Sequence, residues 1–205
     1  GEGCGKSTQS KALYRKLLRL TVPALLAHEP GVTPVGKRIS LWLKWGRLVA
    51  SPETELMLFN ASRAQLVADV IRPNLAAGKV VISDRYTDST LAYQSYGRGL
   101  ELATVSAVNN AATGGLKPDL TILLDIAVGD GLARKRGKKQ DRFELEDIAF
   151  HERVREGYLK MAREEPGRFM VVDATLPQAR VGEIIWGRVG CFLTGIEKAG
   201  LGKTP

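Results

Sequence analysis

At 205 residues the chain fits one well-buried domain and is short for two. Its hydrophobic share (44%) and charged share (25%) are ordinary for a soluble globular protein. A net charge of +8 raises the idea of a nucleic-acid partner, but the basic residues are scattered and no helix-turn-helix, RNP or zinc-finger pattern accompanies them.

No apolar run approaches the ~20 residues of a membrane span, and nothing resembles a signal peptide. Two cysteines, Cys4 and Cys191, make neither a disulfide framework nor a zinc site. A reducing, cytoplasmic setting is expected, with small polyanions rather than nucleic acid or membrane as partners.

The chain opens on "GEGCGKSTQSKALYRKLL". Gly1, Gly3 and Gly5 let backbone N–H groups turn inward on a phosphate, Lys6 adds a point charge for the outer phosphates, and Ser7 or Thr8 can place a hydroxyl on Mg²⁺. Ala12, Leu13, Leu17 and Leu20 then form one apolar stripe, so a helix begins at the lysine and its N-terminus faces the anion. The full pattern G-x-x-x-x-G-K-S/T needs one more glycine, one residue before Gly1. A second "GKT" near Pro205 has Glu197 at the pattern's glycine and reads as tail.

Strand-like runs and amphipathic helices alternate from there. "VPALLAHEPG" reads as a strand into a turn, and "GKVVISDRY" as a buried strand with Asp84 at its carboxyl end. "PDLTILLDI" and "RFMVVDA" read likewise, ending near Asp125 and Asp173. Helices are expected over roughly 34–48, 53–77, 88–95, 101–113, 145–164 and 177–193. The alternation predicts an α/β fold, a parallel sheet with helices on both faces. A phosphate loop needs a strand feeding it, in the centre of such a sheet, so the chain is expected to be N-terminally truncated by about ten residues.

Several ordered motifs, "GEGCGKSTQ", "HEPGVTPVG", "LFNASRAQL", "DRYTDSTLAYQ", "PDLTILLDI", "ARKRGKKQDRFE" and "VVDAT", resemble the bacterial thymidylate kinases from Gly1 to about Val189. The resemblance implies a three-layer P-loop kinase fold, one domain over 1–193 with a mobile lid at about 131–144 and a flexible tail at 194–205. It implies transfer of the γ-phosphoryl of ATP, with Mg²⁺, to dTMP, by a homodimer.

The residue chemistry agrees with that family's roles. Phe59 and Arg63 lie four apart on one helix face: a ring for stacking on a pyrimidine and a guanidinium for a base carbonyl. A core ring with a solvated arginine is the competing reading. Arg85 can clamp the acceptor phosphate bidentately, and Asp84 can hold Mg²⁺ or its water shell. A structural Asp–Arg pair is the alternative there.

Thr90 and Gln94 match contacts to the thymine edge, and Tyr93 an aromatic near the sugar. Glu2, inside the loop with Cys4, matches a residue that orients the acceptor. Arg134, Arg136 and Arg142, with Lys138, are candidates to bring charge over the migrating group as the lid closes, whereas Lys135 and Lys139 read as surface. "DAT" at Asp173 to Thr175 matches the segment near adenine.

Two positions depart from the family: His28 and Ser40 stand where its members carry arginine, and Arg38 lies on a different side of the helix from Ser40. Two other readings compete with a dTMP kinase. One is a kinase for another nucleotide or nucleoside, the other a nucleotide-binding protein without turnover.

Overall fold

The computed structural model describes residues 1–45, 50–137 and 140–198, the last three by backbone alone. Helix α1 (Lys6–Arg19) leads into β1 (Ala24–His28), then α2 (Pro34–Trp45) and α3 (Pro52–Leu66). A π-helical turn (Val67–Ile71) and α4 (Arg72–Ala76) precede β2 (Val80–Asp84). The short α5 (Thr87–Thr90) passes into a π-helical segment (Leu91–Gly97) and on to α6 (Leu102–Thr113). Strand β3 (Thr121–Asp125), α7 (Val128–Ala133), α8 (Ile148–Glu164), β4 (Phe169–Asp173) and α9 (Gln178–Lys198) complete the order.

The strands are short apolar runs, and both pairings are parallel. Ala24 to His28 run beside Val80 to Asp84, and Thr121 to Asp125 beside Phe169 to Asp173. This matches the α/β alternation expected from the sequence. The strands sit in two two-stranded sheets, and among the described residues no ladder joins one to the other. Because each pair is parallel and in register, Asp84 ends beside His28, and Asp125 beside Asp173.

Helix starts follow their capping chemistry. Ser51 accepts from the Thr54 N–H at 3.2 Å ahead of Pro52, and Asp147 accepts from the Phe150 N–H at 2.6 Å. The helix expected over 53–77 is broken: Pro73 has no N–H to give the i→i−4 ladder, and the turn at Val67–Ile71 widens just ahead of it. The helix expected over 88–95 becomes the π-helical segment, whose wider turn buries Ala92, Tyr93, Gln94, Ser95 and Gly97 together. Residues 46–48 of the helix expected over 34–48, and the tail beyond Lys198, lie outside the described residues. Helix α7 carries no periodic apolar stripe and has no counterpart in the sequence reading.

Three apolar clusters hold the fold. One joins α8 to the π-helical segment and α2 through Phe150, Val154, Tyr93 and Leu43. A second sets Cys4 and α9 against β3 and β4, and the third packs α3 and its π-turn on β1. The first depends on two glycines at its seam. A Cβ at Gly157 would stand 2.5 Å from Tyr96 Cγ, and one at Gly97 2.7 Å from Phe150 Cε2. The atoms met at Gly157 are the root of the Tyr96 side chain, which cannot swing aside as a flexible tip could, so Gly157→Ala is expected to cost about 1–3 kcal/mol, read as a lower urea midpoint at unchanged m-value. An unchanged midpoint would mean that α8 and the π-helical segment separate freely.

Candidate active site

The first five residues turn on glycines that no other residue could replace cheaply. Gly5 caps α1 at φ +91°, and Gly3 sits at φ +68° so close to α7 that a Cβ would meet the Gly131 carbonyl oxygen at 1.9 Å. The loop then presents the N-terminus of α1, where backbone N–H groups are free to meet an anion. Lys6 Nζ donates to the Gly1 carbonyl at 2.5 Å and lies 4.0 Å from a Glu2 carboxylate oxygen. Ser7 and Thr8 are exposed at the head of α1, and Ser7 Oγ donates to Asp84 Oδ2 at 2.5 Å. The loop hydroxyl and the carboxylate ending β2 therefore meet, as the sequence leads one to expect.

Beside the loop lies an open cleft of about 450 Å³, counting the part that faces solvent. Glu2, Phe59, Arg63, Arg85, Thr90, Tyr93 and Gln94, all seven acceptor candidates, line it together. Arg85 holds a left-handed φ of +74° right after β2, a conformation a non-glycine residue keeps only where its surroundings fix it. Its guanidinium pairs with Glu2, and Tyr93 Oη donates to the same Glu2 oxygen at 2.6 Å. Burial opposes charge on Glu2, but Arg85, then Lys6 and the Tyr93 hydroxyl, hold its carboxyl well below the usual carboxylate range.

Arg63 is placed differently from the expectation. It is 1% exposed, so it is not a solvated arginine, and its donors are already spent. Nε and Nη2 both donate to Glu29 Oε2, at 2.9 and 2.6 Å. Nη1 reaches Asn109 Oδ1 at 2.7 Å and Thr90 Oγ1 at 2.8 Å, and Nη2 also reaches the Tyr86 carbonyl at 3.2 Å. A guanidinium has five N–H groups, and in this ligand-free arrangement all of them face protein acceptors, the Thr90 hydroxyl among them. Gln94 Nε2 donates to the buried Glu55 at 2.6 Å.

The basic stretch after α7 also divides in an unexpected way. Arg142 Nη2 is bound to Glu55 at 2.6 Å and its Nε to the Leu43 carbonyl at 3.1 Å, which ties it to α2 and α3. Arg134 donates to the Ala174 carbonyl at 2.9 Å, beside the Asp173–Thr175 turn, and Arg136 is exposed. Lys135, expected on the surface, reaches inward: it pairs with Glu144 and lies 3.6 Å from Glu2. Lys138 and Lys139 lie outside the described residues.

The model of the family described as Thymidylate kinase matches residues 1–185 of the chain. The chain belongs to the thymidylate kinase family. It is 55% identical over 194 residues to the thymidylate kinase of Dehalococcoides mccartyi strain CBDB1, covering 94% of this chain and 93% of that one. Thymidylate kinases of Trichlorobacter lovleyi and Thermomicrobium roseum are each 47% identical, with 90% and 92% of this chain covered and 91% and 90% of theirs.

Within this thymidylate kinase family member, four cleft or wall residues were not singled out by the sequence. Glu29 and Phe143 sit inside motifs that carry the resemblance; Phe143 packs its ring 5.5 Å from Phe59. Glu55 stands in the first turn of α3, where an acidic residue reads as helix-dipole chemistry. Lys44 lines the cleft 3.8 Å from Asp141, and burial lowers its pKa against the pull of that carboxylate. It lies one helical turn after Ser40, so α2 does bring a cation to the cleft. Ser40 and His28 instead flank Gly31, where a Cβ would meet His28 Nε2 at 3.2 Å and Ser40 Cβ at 3.9 Å. Arg38 is exposed.

Proposed function

We propose that the protein transfers the γ-phosphoryl group of ATP to dTMP, giving dTDP and ADP, a step of dTTP biosynthesis. The observation that carries the reading is the single cleft in which Phe59, Thr90, Gln94, Arg85 and Glu2 converge beside the loop that ends in Lys6 and Ser7.

Gly1 to Thr8 cradle the ATP phosphates, with Lys6 on the outer ones and the Asp173–Thr175 turn near the adenine. Phe59 stacks on the base, Thr90 and Gln94 meet its edge, and Tyr93 borders the sugar. Arg85 and Lys44 face the acceptor phosphate, while Glu2, held ionised, keeps Arg85 in place and orients the acceptor. The reaction needs no covalent enzyme intermediate: positioning and neutralisation of charge between two phosphorylated ligands lower its barrier. Arg134, Arg136 and Lys135, on the lid at 131–144, bring further positive charge and exclude water.

Ser7 and Asp84 are the residues that would hold Mg²⁺. A hydroxyl and one carboxylate are hard oxygen donors of the kind Mg²⁺ uses alongside waters and substrate phosphates, and among the described residues no cluster of three His, Cys, Asp or Glu offers a dedicated cage. The ion, when bound, neutralises charge on the phosphates. Asp84→Asn is expected to raise the Mg²⁺ concentration for half-maximal rate severalfold without a matching change in KM for dTMP. Unchanged Mg²⁺ dependence would return Asp84 to a purely structural pair.

The three-layer arrangement and the single domain over 1–193 belong to the same reading. So does a homodimer in the cytoplasm; among the described residues no helix is long and apolar enough to cross a membrane. Exposed Leu41, Trp42 and Met57 on α2 and α3 give such a dimer an apolar surface, and sedimentation at micromolar concentration decides it. The activity itself is tested by coupled ADP release with a panel of nucleoside monophosphates. Turnover of dTMP alone is expected, and turnover of a different nucleotide, or binding without turnover, would replace the reading.

A further inference from the structure

Glu55 spends its carboxylate on two other parts of the chain at once. It is 1% exposed, in the first turn of α3, and it accepts from Gln94 Nε2 at 2.6 Å, from Arg98 at 3.3 and 3.4 Å, and from Arg142 Nη2 at 2.6 Å. Arg98 also donates to Glu146 at 2.5 Å. The stretch from Arg142 to Glu146, which leads from the basic loop into α8, is therefore held at both ends from one buried carboxylate. A buried ion pair rarely contributes more stability than well-packed apolar side chains would. What Glu55 supplies is a fixed position for that stretch, and for what the stretch holds in turn.

What it holds is Lys44. The Arg142 backbone N–H donates to the Lys44 carbonyl at 3.3 Å and its Nε to the Leu43 carbonyl at 3.1 Å, so Arg142 fastens the last described turn of α2. The residue before it, Asp141, faces Lys44 Nζ at 3.8 Å. Consecutive residues thus grip Lys44 by its backbone and beside its ammonium. At 3.8 Å the ion pair is too long for a hydrogen bond, so it leaves the ammonium its donors for the cleft, which Lys44 lines together with Arg85 and Glu2. Burial lowers the Lys44 pKa and Asp141 opposes this most, but Arg85 and Glu2 act on the same charge, which places Lys44 within reach of the phosphate end of the cleft.

We infer that Glu55 is a positioning residue for the acceptor phosphate: through Arg142 it fixes the end of α2 and so holds the Lys44 ammonium beside Arg85, where that phosphate sits. Glu55 itself touches no ligand phosphate. The inference rests on the dTMP-kinase reading above and adds the residue that sets the second cation on the acceptor.

Glu55→Gln keeps the shape but brings an NH₂ in among donors, so a contact to an arginine is lost. A double-mutant cycle with Lys44→Met reads whether that loss reaches the lysine. Lys44→Met alone is expected to raise KM for dTMP about tenfold, the weight of one charge-assisted contact. Glu55→Gln is expected to raise it about fivefold or more when Lys44 is present and less than about twofold when Lys44 is methionine, with KM for ATP within about twofold throughout. A merely structural Glu55 would give the same factor in both backgrounds, and that result overturns the inference. So does an unchanged KM for dTMP in Lys44→Met. If Glu55→Gln fails to fold, Arg142→Met, which leaves Glu55 paired with Arg98, takes its place in the cycle with the same expected and overturning results. A wild-type protein that does not turn over dTMP would instead overturn the functional reading, so the two failures are distinct.

Discussion

Lys6→Ala slows phosphoryl transfer by about 10²–10³-fold while leaving the fold intact. The size follows from where the ammonium stands. Lys6 is the first residue of α1, its Nζ held over the Gly1 carbonyl at 2.5 Å, so the charge sits inside the curl of the loop and not on a free stem. Removing one preorganised donor from a site that stabilises developing charge costs about that factor. The fold has little stake in it. Lys6 makes a long contact with Glu2 at 4.0 Å, and Glu2 keeps Arg85 and Tyr93 when the lysine is gone. The expected signature is a fall in kcat in the ADP-release assay with an unchanged circular-dichroism melting curve. Normal turnover in the variant would remove the phosphate-loop assignment, and with it the placement of ATP at Gly1 to Thr8.

What could be read from the sequence was what lies close together along it. The glycines at 1, 3 and 5 ahead of Lys6, the apolar stripe of α1, and the spacing from Asp84 through Gln94 each encode their geometry within about one turn, and the structure places those residues together. What could not be read depends on partners far apart. Nothing around Arg63 announces that a carboxylate 34 residues earlier will take two of its donors, or that Asn109 will take another. Arg142 looks like its neighbours Arg134 and Arg136 until Glu55, 87 residues away, is placed beside it. The π-helical segment at Leu91–Gly97 is equally hidden, because a 3.6-residue period and a widened turn share the same apolar residues over so short a run. Lys44 is hidden for a related reason: the family's arginine position falls on Ser40, whereas a cleft accepts a cation from the next turn of the same helix.

Arg63→Ala is expected to destabilise the protein by about 3–5 kcal/mol. This departs from what the sequence implies, a selective rise in KM for dTMP from a lost base contact. The structure makes Arg63 half of a buried ion pair, with side chains 2% and 4% exposed, and truncating one partner strands the other. Burial already pushes the Glu29 carboxyl upward against the pull of Arg63; without Arg63 the burial term acts alone. Thr90 and Asn109 lose their donor as well. For a chain of this length the loss corresponds to a fall in Tm on the order of 10 °C.

The pair also predicts its own rescue. Replacing both partners by apolar residues of similar bulk, Arg63→Met with Glu29→Leu, removes the stranded charge and is expected to recover most of the lost stability, because a buried pair rarely contributes more than well-packed side chains. Activity on dTMP stays low in the double variant, since two polar residues of the cleft wall are gone and Thr90 loses its donor. Urea midpoints for the two variants give the answer. A small loss in Arg63→Ala with a selective rise in KM for dTMP would restore Arg63 as a direct reader of the base. A double variant no more stable than the single one would show that the hydrogen bonds to Thr90, Asn109 and Tyr86, rather than the charge on Glu29, set the cost.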